Sequence, residues 1–497
     1  MTLNSVGKHR WILVTLWFWT LTLNAGEATL VIKTDGPLFE CVLELNRVQE
    51  PDLDLAATRT AFKELLAQAK TVLIKATTPR EKVAALCQVV LDRREVLPLS
   101  NKYWRDSTLA ASLLRRKGNC LSVATLLVLA GEELNLPIRL VVVPRHVFAR
   151  WDDGQTRINI ETINKGSEIP DEVYLYRHAQ AAPDDIEALG WGKSLSKDGF
   201  WAELLEAAAG GRASENRLEN ALALLTQAEK LAPYRTDMKL RRLMLEADVT
   251  GKRPEARQKI QELLTQREQP PSVVCSALFW AAGEFSAAGD YETERRLLLS
   301  AFSRAPKSSE AELLQRLAFC LRNLKDYRGA ARYMELATTL ILENSPDYVN
   351  VLYNLAIMMK NDKRLDEALT IIRAALKKSS ESWNLQMLEA GYMIMNNQRE
   401  DGLKRFEKIE RPRSDLEAYE GMLAWFYAVS HQREKFYSQL DRALALSQSP
   451  HILIWIEQDI DLDVYRNEPE FKALVEKHRQ RILPKVGSRL PPDVPVK

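Results

Sequence analysis

The sequence predicts two parts of different class: an α+β domain first, then an all-α repeat solenoid. Three observations carry this reading. From about Phe200 onward, small and large apolar residues recur at matching offsets in paired helical stretches. Upstream of that point there is no repeat, and helical spacings give way to short β-branched and aromatic runs. The chain also has 497 residues, too many for one hydrophobic core.

The N-terminus stands apart from both halves. "MTLNSVGKHR" ends in Lys8, His9 and Arg10, an apolar run "WILVTLWFWTLTL" follows, and small residues appear in "NAGEA". That order predicts a secretory signal peptide over residues 1–28 and a periplasmic or secreted protein, with an uncleaved N-terminal anchor as the rival reading. The run is shorter than the roughly 20 residues that span a bilayer, and no later stretch is long and apolar enough. Export permits disulfides, but five cysteines scattered through the chain do not make a disulfide scaffold. A net charge of +2, with 46% hydrophobic and 27% charged residues, gives no basic excess for nucleic acid.

Residues 29–197 form the predicted α+β domain. "DLDLAATRTAFKELLAQAK" and "TPREKVAALCQVVLDRR" carry apolar residues at helical spacing, and Thr78 before "PREK" supplies a cap with proline in the first turn. A third helix opens at "KGNCL", where Cys120 follows Gly118 and Asn119 at the mouth of an apolar run. The positive end of a helix favours thiolate over thiol, which makes this a good place for a nucleophile. The strands "IRLVVVP", "HVFARW" and "TRINIET" come next. Asp153-Gly154 between the last two predicts a two-residue hairpin loop. Counting back from it pairs Asp152 with Gln155 and Trp151 with Thr156, and sets His146 directly opposite Glu161, with Asn159 one diagonal step away. A thiol at a helix start, with a histidine and a carboxylate on later strands, is a nucleophile–base–orienter arrangement.

The order Cys120, His146, Glu161 and the words around it, "RRKGNCLSVATLLVLAGEELNLPIRLVVVPRHVFARW" and "INIETINKG", resemble the transglutaminase-like superfamily. The resemblance implies a papain-like core, with Cys120 as nucleophile, His146 as base and Glu161 as the group orienting it. It also implies amide or peptide hydrolysis, or acyl transfer, through a thioester. The family's third residue is typically aspartate, so glutamate at 161 is a departure, and Asn159 is the alternative orienter. For the oxyanion hole, the Cys120 N–H is the natural first donor and Asn119 or Trp104 the candidate second. Cys87, Cys275 and Cys320 read as packing residues, and His178, His431, His451 and His478 as unconnected to any site. Without HExxH, paired CxxC or a phosphate-binding glycine loop, neither a metal nor a nucleotide cofactor is implied.

Residues 198–450 form the predicted array. Ala221, Leu225 and Ala228 align with Leu298 and Ala301, then with Ala330, Met334 and Ala337, then with Ala368, Ile372 and Ala375. Each set follows a partner helix, such as the one carrying Leu314, Leu317, Ala318 and Leu321. This pattern resembles the tetratricopeptide repeat, in about seven units, and implies a groove for a polypeptide substrate or partner protein. Residues 451–497 read as capping helices and a tail. The leading expectation is an exported cysteine-dependent hydrolase or acyl transferase with a protein-recognition arm. Its rival is a non-catalytic interaction scaffold that carries an inactive domain of the same fold.

Overall fold

The computed structural model describes residues 30–92, 94–97, 105–266, 269–343, 345, 347–447 and 451–482. The expected signal peptide, the C-terminal tail and Trp104 lie outside these residues. Among the described residues, no helix is long and apolar enough to cross a membrane. They divide into two compact units, residues 30–280 with 303–309, and residues 281–302 with 310–482.

The first unit opens with three helices, α1 (Leu38–Gln49), α2 (Leu55–Leu73) and α3 (Pro79–Leu91). Asp54 caps α2 through the Ala57 N–H. Thr78 and Glu81 form a reciprocal capping box on α3, with Pro79 at its first position, as the sequence predicts. A short parallel pair, β1 (Glu95–Leu97) and β2 (Lys117–Asn119), flanks α4 (Leu109–Leu113) and leads into α5 (Cys120–Glu133). Neither β1 nor β2 was legible, because three residues carry too little periodicity.

Helix α5 is the centre of this unit. Every residue from Cys120 to Gly131 is buried, so the helix is apolar on all sides and has to be covered all round. It packs against β3 (Ile138–Val143) and β4 (His146–Asp152) on one flank, and against α1, α3 and α4 on others. Strands β3, β4 and β5 (Arg157–Ile160) form an antiparallel sheet in that order. A π-helical turn, Val173–His178, and α6 (Pro183–Leu189) follow.

The β4–β5 turn differs from the two-residue loop that Asp-Gly predicts. Pairing stops at Asp152↔Arg157, which leaves a four-residue turn, 153–156. The cause is the Asp153 carboxylate, whose Oδ1 accepts the N–H groups of Gln155 at 2.9 Å and Thr156 at 2.6 Å and so widens the turn. The turn grows by an even number, so facing parity survives while the register moves by two residues. Ala149 pairs with Ile160, and Glu161 comes level with Phe148 instead of His146.

From Lys197 the chain is helical, in seven successive pairs among the described residues. They are α7 (Lys197–Ser214) with α8 (Leu218–Leu231), α9 (Thr236–Thr250) with α10 (Arg253–Gln266), and α11 (Pro271–Ala287) with α12 (Tyr291–Phe302). Then come α13 (Lys307–Asn323) with α14 (Tyr327–Leu340), α15 (Tyr348–Asn361) with α16 (Leu365–Lys378), α17 (Trp383–Met395) with α18 (Arg399–Phe406), and α19 (Leu416–Val429) with α20 (Arg433–Leu446). Ala221, Ala228, Ala301, Ala330, Ala337, Ala368 and Ala375 are all completely buried, so the small residues of the repeat mark close helix approach. The change of pattern near residue 197 is not a break in packing: one apolar core runs from Ile32 through the α5 residues to Trp201, Leu224 and Met238. In the second unit the closing segment comprises α21 (His451–Gln458), a 3-10 turn (Ile460–Leu462), α22 (Asp463–Arg466) and α23 (Pro469–Ile482). Phe471, Val475 and Ile482 of α23 join the core built around Phe436 and Leu440 of α20.

At the C-terminal end of α5 the backbone runs close to β3: a Cβ added to Gly131 would lie 2.7 Å from the Cβ of Ile138. Backbone-proximal atoms cannot move aside, so Gly131→Ala is expected to force α5 away from β3. The predicted cost is about 1–3 kcal/mol, measured by urea unfolding of the full chain.

Candidate active site

Three segments supply the site. Cys120 is the first residue of α5 and is completely buried. The helix mouth is fixed by a capping box in which Asn119 Oδ1 accepts the Ser122 N–H at 3.0 Å and Ser122 Oγ accepts the Asn119 N–H at 3.1 Å. Serine fills the position that glutamate or glutamine holds in the common form of this motif. The Asn119 amide also donates to Ser107 Oγ at 2.6 Å, so this side chain serves as a cap and a loop anchor. Gly118 is required beside it, because an added Cβ would sit 2.5 Å from both Ser112 Oγ and Ser122 Oγ, which bond to each other at 2.9 Å.

His146 opens β4 directly after a two-residue turn, Pro144-Arg145, that joins Val143 to His146. Arg145 is held at φ 63°, a left-handed conformation that non-glycine residues rarely adopt. The imidazole meets two groups. Its Nε2 lies 2.8 Å from Glu161 Oε2, and the Cys120 side chain is near enough to act on its charge. With Nε2 committed to the carboxylate, Nδ1 is the ring nitrogen left free for a thiol.

Glu161 follows the last residue of β5 and reaches His146 diagonally, as the shifted register requires. It accepts three hydrogen bonds: His146 Nε2 and the Tyr174 hydroxyl on Oε2, the latter at 2.6 Å, and the Ile163 N–H on Oε1 at 2.8 Å. Asn159, the alternative orienter, faces elsewhere. It accepts from Arg150 Nε at 2.6 Å and donates to Ile169 O and Asp171 Oδ1, both at 2.7 Å. Register explains this, since Arg150 is its direct partner across β4–β5.

Tyr174 is the member that sequence reasoning missed. Its ring stacks on Phe148 at 4.2 Å and on His146 at 5.6 Å between centroids, while its hydroxyl holds the carboxylate. It lies on the π-helical turn, whose irregular spacing left no periodic signal. Arg150, also unforeseen, is buried and donates to Asn159, to Gly192 O and to Asp171, which ties the turn region to the sheet.

Electrostatics follow from these contacts. Burial disfavours a charged His146, but its interactions with Cys120 and Glu161 outweigh this and raise the imidazole to about 9. Burial pushes the Glu161 carboxyl up, yet the bonds from His146 and Tyr174 leave it below its ordinary value. By contrast, burial alone pushes the Cys87 thiol up to about 12, and burial with the nearby Glu294 charge does the same to Cys320. All five cysteines are buried and unbridged, and Cys275 and Cys320 lie on α11 and α13 as packing residues. His478, read as unconnected, bonds Asp441 at 2.6 Å in the second unit. A cavity of about 440 Å³ opens onto His146, Glu161 and Tyr174, with Arg145, Ile163 and Asn164 around it.

Residues 56–189, from the start of α2 to the end of α6, match the family model of the transglutaminase-like superfamily. This stretch is a transglutaminase-like domain. No curated protein matches the sequence. Among solved structures, the chain is similar to a tetratricopeptide repeat protein from Parabacteroides merdae, at 16% identity over 52% of this chain and 99% of that one, with a TM-score of 0.37. It is also similar to the C-terminal part of a TPR repeat-containing protein from Cytophaga hutchinsonii, at 13% identity over 56% and 93% of the two chains, with a TM-score of 0.31. Beyond the transglutaminase-like domain the chain is an array of tetratricopeptide-like helix pairs, on the recurrence of the pairs themselves.

Tyr174→Phe keeps the ring stack and removes only the hydroxyl that donates to Glu161. Loss of one hydrogen bond to a buried carboxylate is expected to lower stability by about 1.5–3 kcal/mol at pH 7, read by urea unfolding.

Proposed function

We propose that this chain is an exported cysteine-dependent amide hydrolase or acyl transferase whose helical arm holds a protein substrate or partner. One observation carries the reading: His146 Nε2 lies 2.8 Å from Glu161 Oε2, with the Cys120 side chain near enough to act on the charge of the same ring. In the proposed reaction the His146 ring, protonated at neutral pH because its value is raised to about 9, holds the proton that the pair shares, and the sulfur adds to the carbonyl carbon of an amide. The tetrahedral oxyanion then collapses. The C–N bond breaks, His146 returns its proton to the leaving amine, and a thioester remains on Cys120. Water or a second amine, deprotonated by His146, attacks the thioester. The C–S bond breaks and the sulfur recovers the proton, to release an acid or a new amide. Glu161 keeps the ring oriented and stabilises its cationic form, and Tyr174 keeps Glu161 in place.

A second reading has its own observation, the complete burial of Cys120. In that reading the domain is a non-catalytic scaffold, and the arm carries the function. Thiol chemistry separates the two. On the enzyme reading, iodoacetamide at pH 7 alkylates Cys120 at least about ten-fold faster than Cys275, and His146→Ala abolishes the difference. Equal rates for the two thiols refute the activated site.

The pH dependence has a definite sign. The proton that His146 delivers to the leaving amine is lost as pH rises through about 9, so amide turnover falls there. The Glu161 charge is one of the groups that raise this value, so Glu161→Gln is expected to move the alkaline limb to lower pH. The same linkage acts on folding. Stability from the raised imidazole is fully present below its ordinary value of 6.5 and is lost as pH rises through about 9, and Glu161→Gln should flatten that slope.

A further inference from the structure

The closing segment of the second unit contains polar contacts that a cap does not need. Residues 455–463 read "WIEQDIDLD" and carry four carboxylates with no lysine or arginine. Asp461 Oδ2 accepts from Lys360 Nζ of α15 at 2.6 Å, across 101 residues of chain, and from the Trp425 indole N–H of α19 at 2.8 Å. The Lys360 and Asp461 side chains are only 6% and 7% exposed. Asp459 is held by the Trp455 indole N–H at 2.9 Å and the Asp461 N–H at 3.0 Å, with Lys360 and Arg322 of α13 in its field. Gln458 donates to the Tyr291 hydroxyl at the start of α12, at 3.0 Å.

The receiving side is assembled from the first helices of successive pairs. Arg322, Lys360 and Trp425 belong to α13, α15 and α19. On α17, between the last two, Gly391 leaves the space in which the Trp425 ring lies: an added Cβ would be 2.4 Å from it. Next to it, the Tyr392 hydroxyl is completely buried and has no hydrogen-bond partner among the described residues. Apolar cover for the last helix pair comes from α23 together with Ile456 and Leu462 of the segment itself, and its buried carboxylates are additional to that packing. A buried ion pair adds little net stability, because desolvation offsets the attraction, but it selects strongly for a carboxylate in one position. Repeat arrays use such faces to bind polypeptides.

We propose that the face made by α13, α15, α17 and α19 is a docking site for an acidic polypeptide segment with two carboxylates one residue apart among large apolar side chains. In the free chain residues 455–463 fill this face as an internal ligand, which a partner segment of the same chemistry displaces. The proposal rests on the arm being a protein-recognition element.

The test uses the full chain and a fluorescein-labelled peptide of sequence WIEQDIDLD, followed by polarisation. Changing Asp459→Asn and Asp461→Asn together leaves Lys360 and the two indoles without their carboxylates, so the added peptide is expected to bind at least about ten-fold tighter than to the wild type. Adding Lys360→Met removes the gain, and a peptide with asparagine at both positions does not bind. Asp461→Asn alone, which weakens the latch and leaves the receiving face intact, replaces the double variant if circular dichroism shows that variant unfolded. Folded, latch-weakened chains that bind the peptide no tighter than the wild type, or that ignore its carboxylates, overturn the proposal and make the segment a static cap. A random-sequence photo-crosslinking peptide library separates the two levels. If the library labels α13–α19 while the acidic peptide fails, the internal-ligand idea falls and the recognition arm stands. If neither binds, both fall.

Discussion

The domain is organised by the need to cover one helix on every side. Helix α5 has no polar face between Cys120 and Gly131, so no orientation lets it rest on the surface. At about 25 cal/mol per Å² of apolar surface, exposing even one flank of it would cost more than a small domain's net stability. Strands must cover one flank and helices the others, and one core then extends from the N-terminal helices into the first helix pair of the arm. Only the ends of α5 are free to be polar. The N-terminal end is where Asn119, Ser122 and Cys120 gather. The site sits where it does because the rest of the helix has no room for it.

Much of this could be read from residues, and the limits have physical causes. Long amphipathic or wholly apolar runs fixed the helices, and the capping box at Thr78 fixed the start of one of them. The recurrence of buried alanines fixed the arm. The histidine–carboxylate contact was also legible, though for a reason only partly right. Asp-Gly fixed the existence of a hairpin and the parity of its faces, while the Asp153 side chain lengthened the turn and moved the register by two. Glutamate reaches His146 diagonally because its chain is long enough, and this gives a geometric sense to the departure from aspartate at 161. Tyr174 and Arg150 were out of reach, since their partners are set by a π-turn and by tertiary contacts that leave no spacing in the sequence.

The same distinction holds in the arm. Repeats report their own packing, because each apolar position is answered by an equivalent one in the next pair. A segment that lies across several pairs has no such echo. "WIEQDIDLD" reads as part of the cap that closes the array, and only the folded chain brings Asp461 beneath Trp425 and against Lys360. Net charge is equally uninformative there, since the pairing of opposite charges leaves a total near neutral.

Strain at the β3–β4 turn helps to place the imidazole. Arg145 at φ 63° occupies a region that costs a non-glycine residue about 1–3 kcal/mol, and the next residue is His146. A longer, relaxed loop would release Val143 and His146 from direct pairing, and the ring would no longer start β4 at the end of the sheet. Holding it there fixes the imidazole by two contacts, Glu161 on Nε2 and the stacked Tyr174 ring, with Cys120 acting on its charge. Burial by itself would have discharged the ring. Its interactions with Glu161 and Cys120 act against that burial, and the strained turn holds the ring at the start of β4, within reach of Glu161.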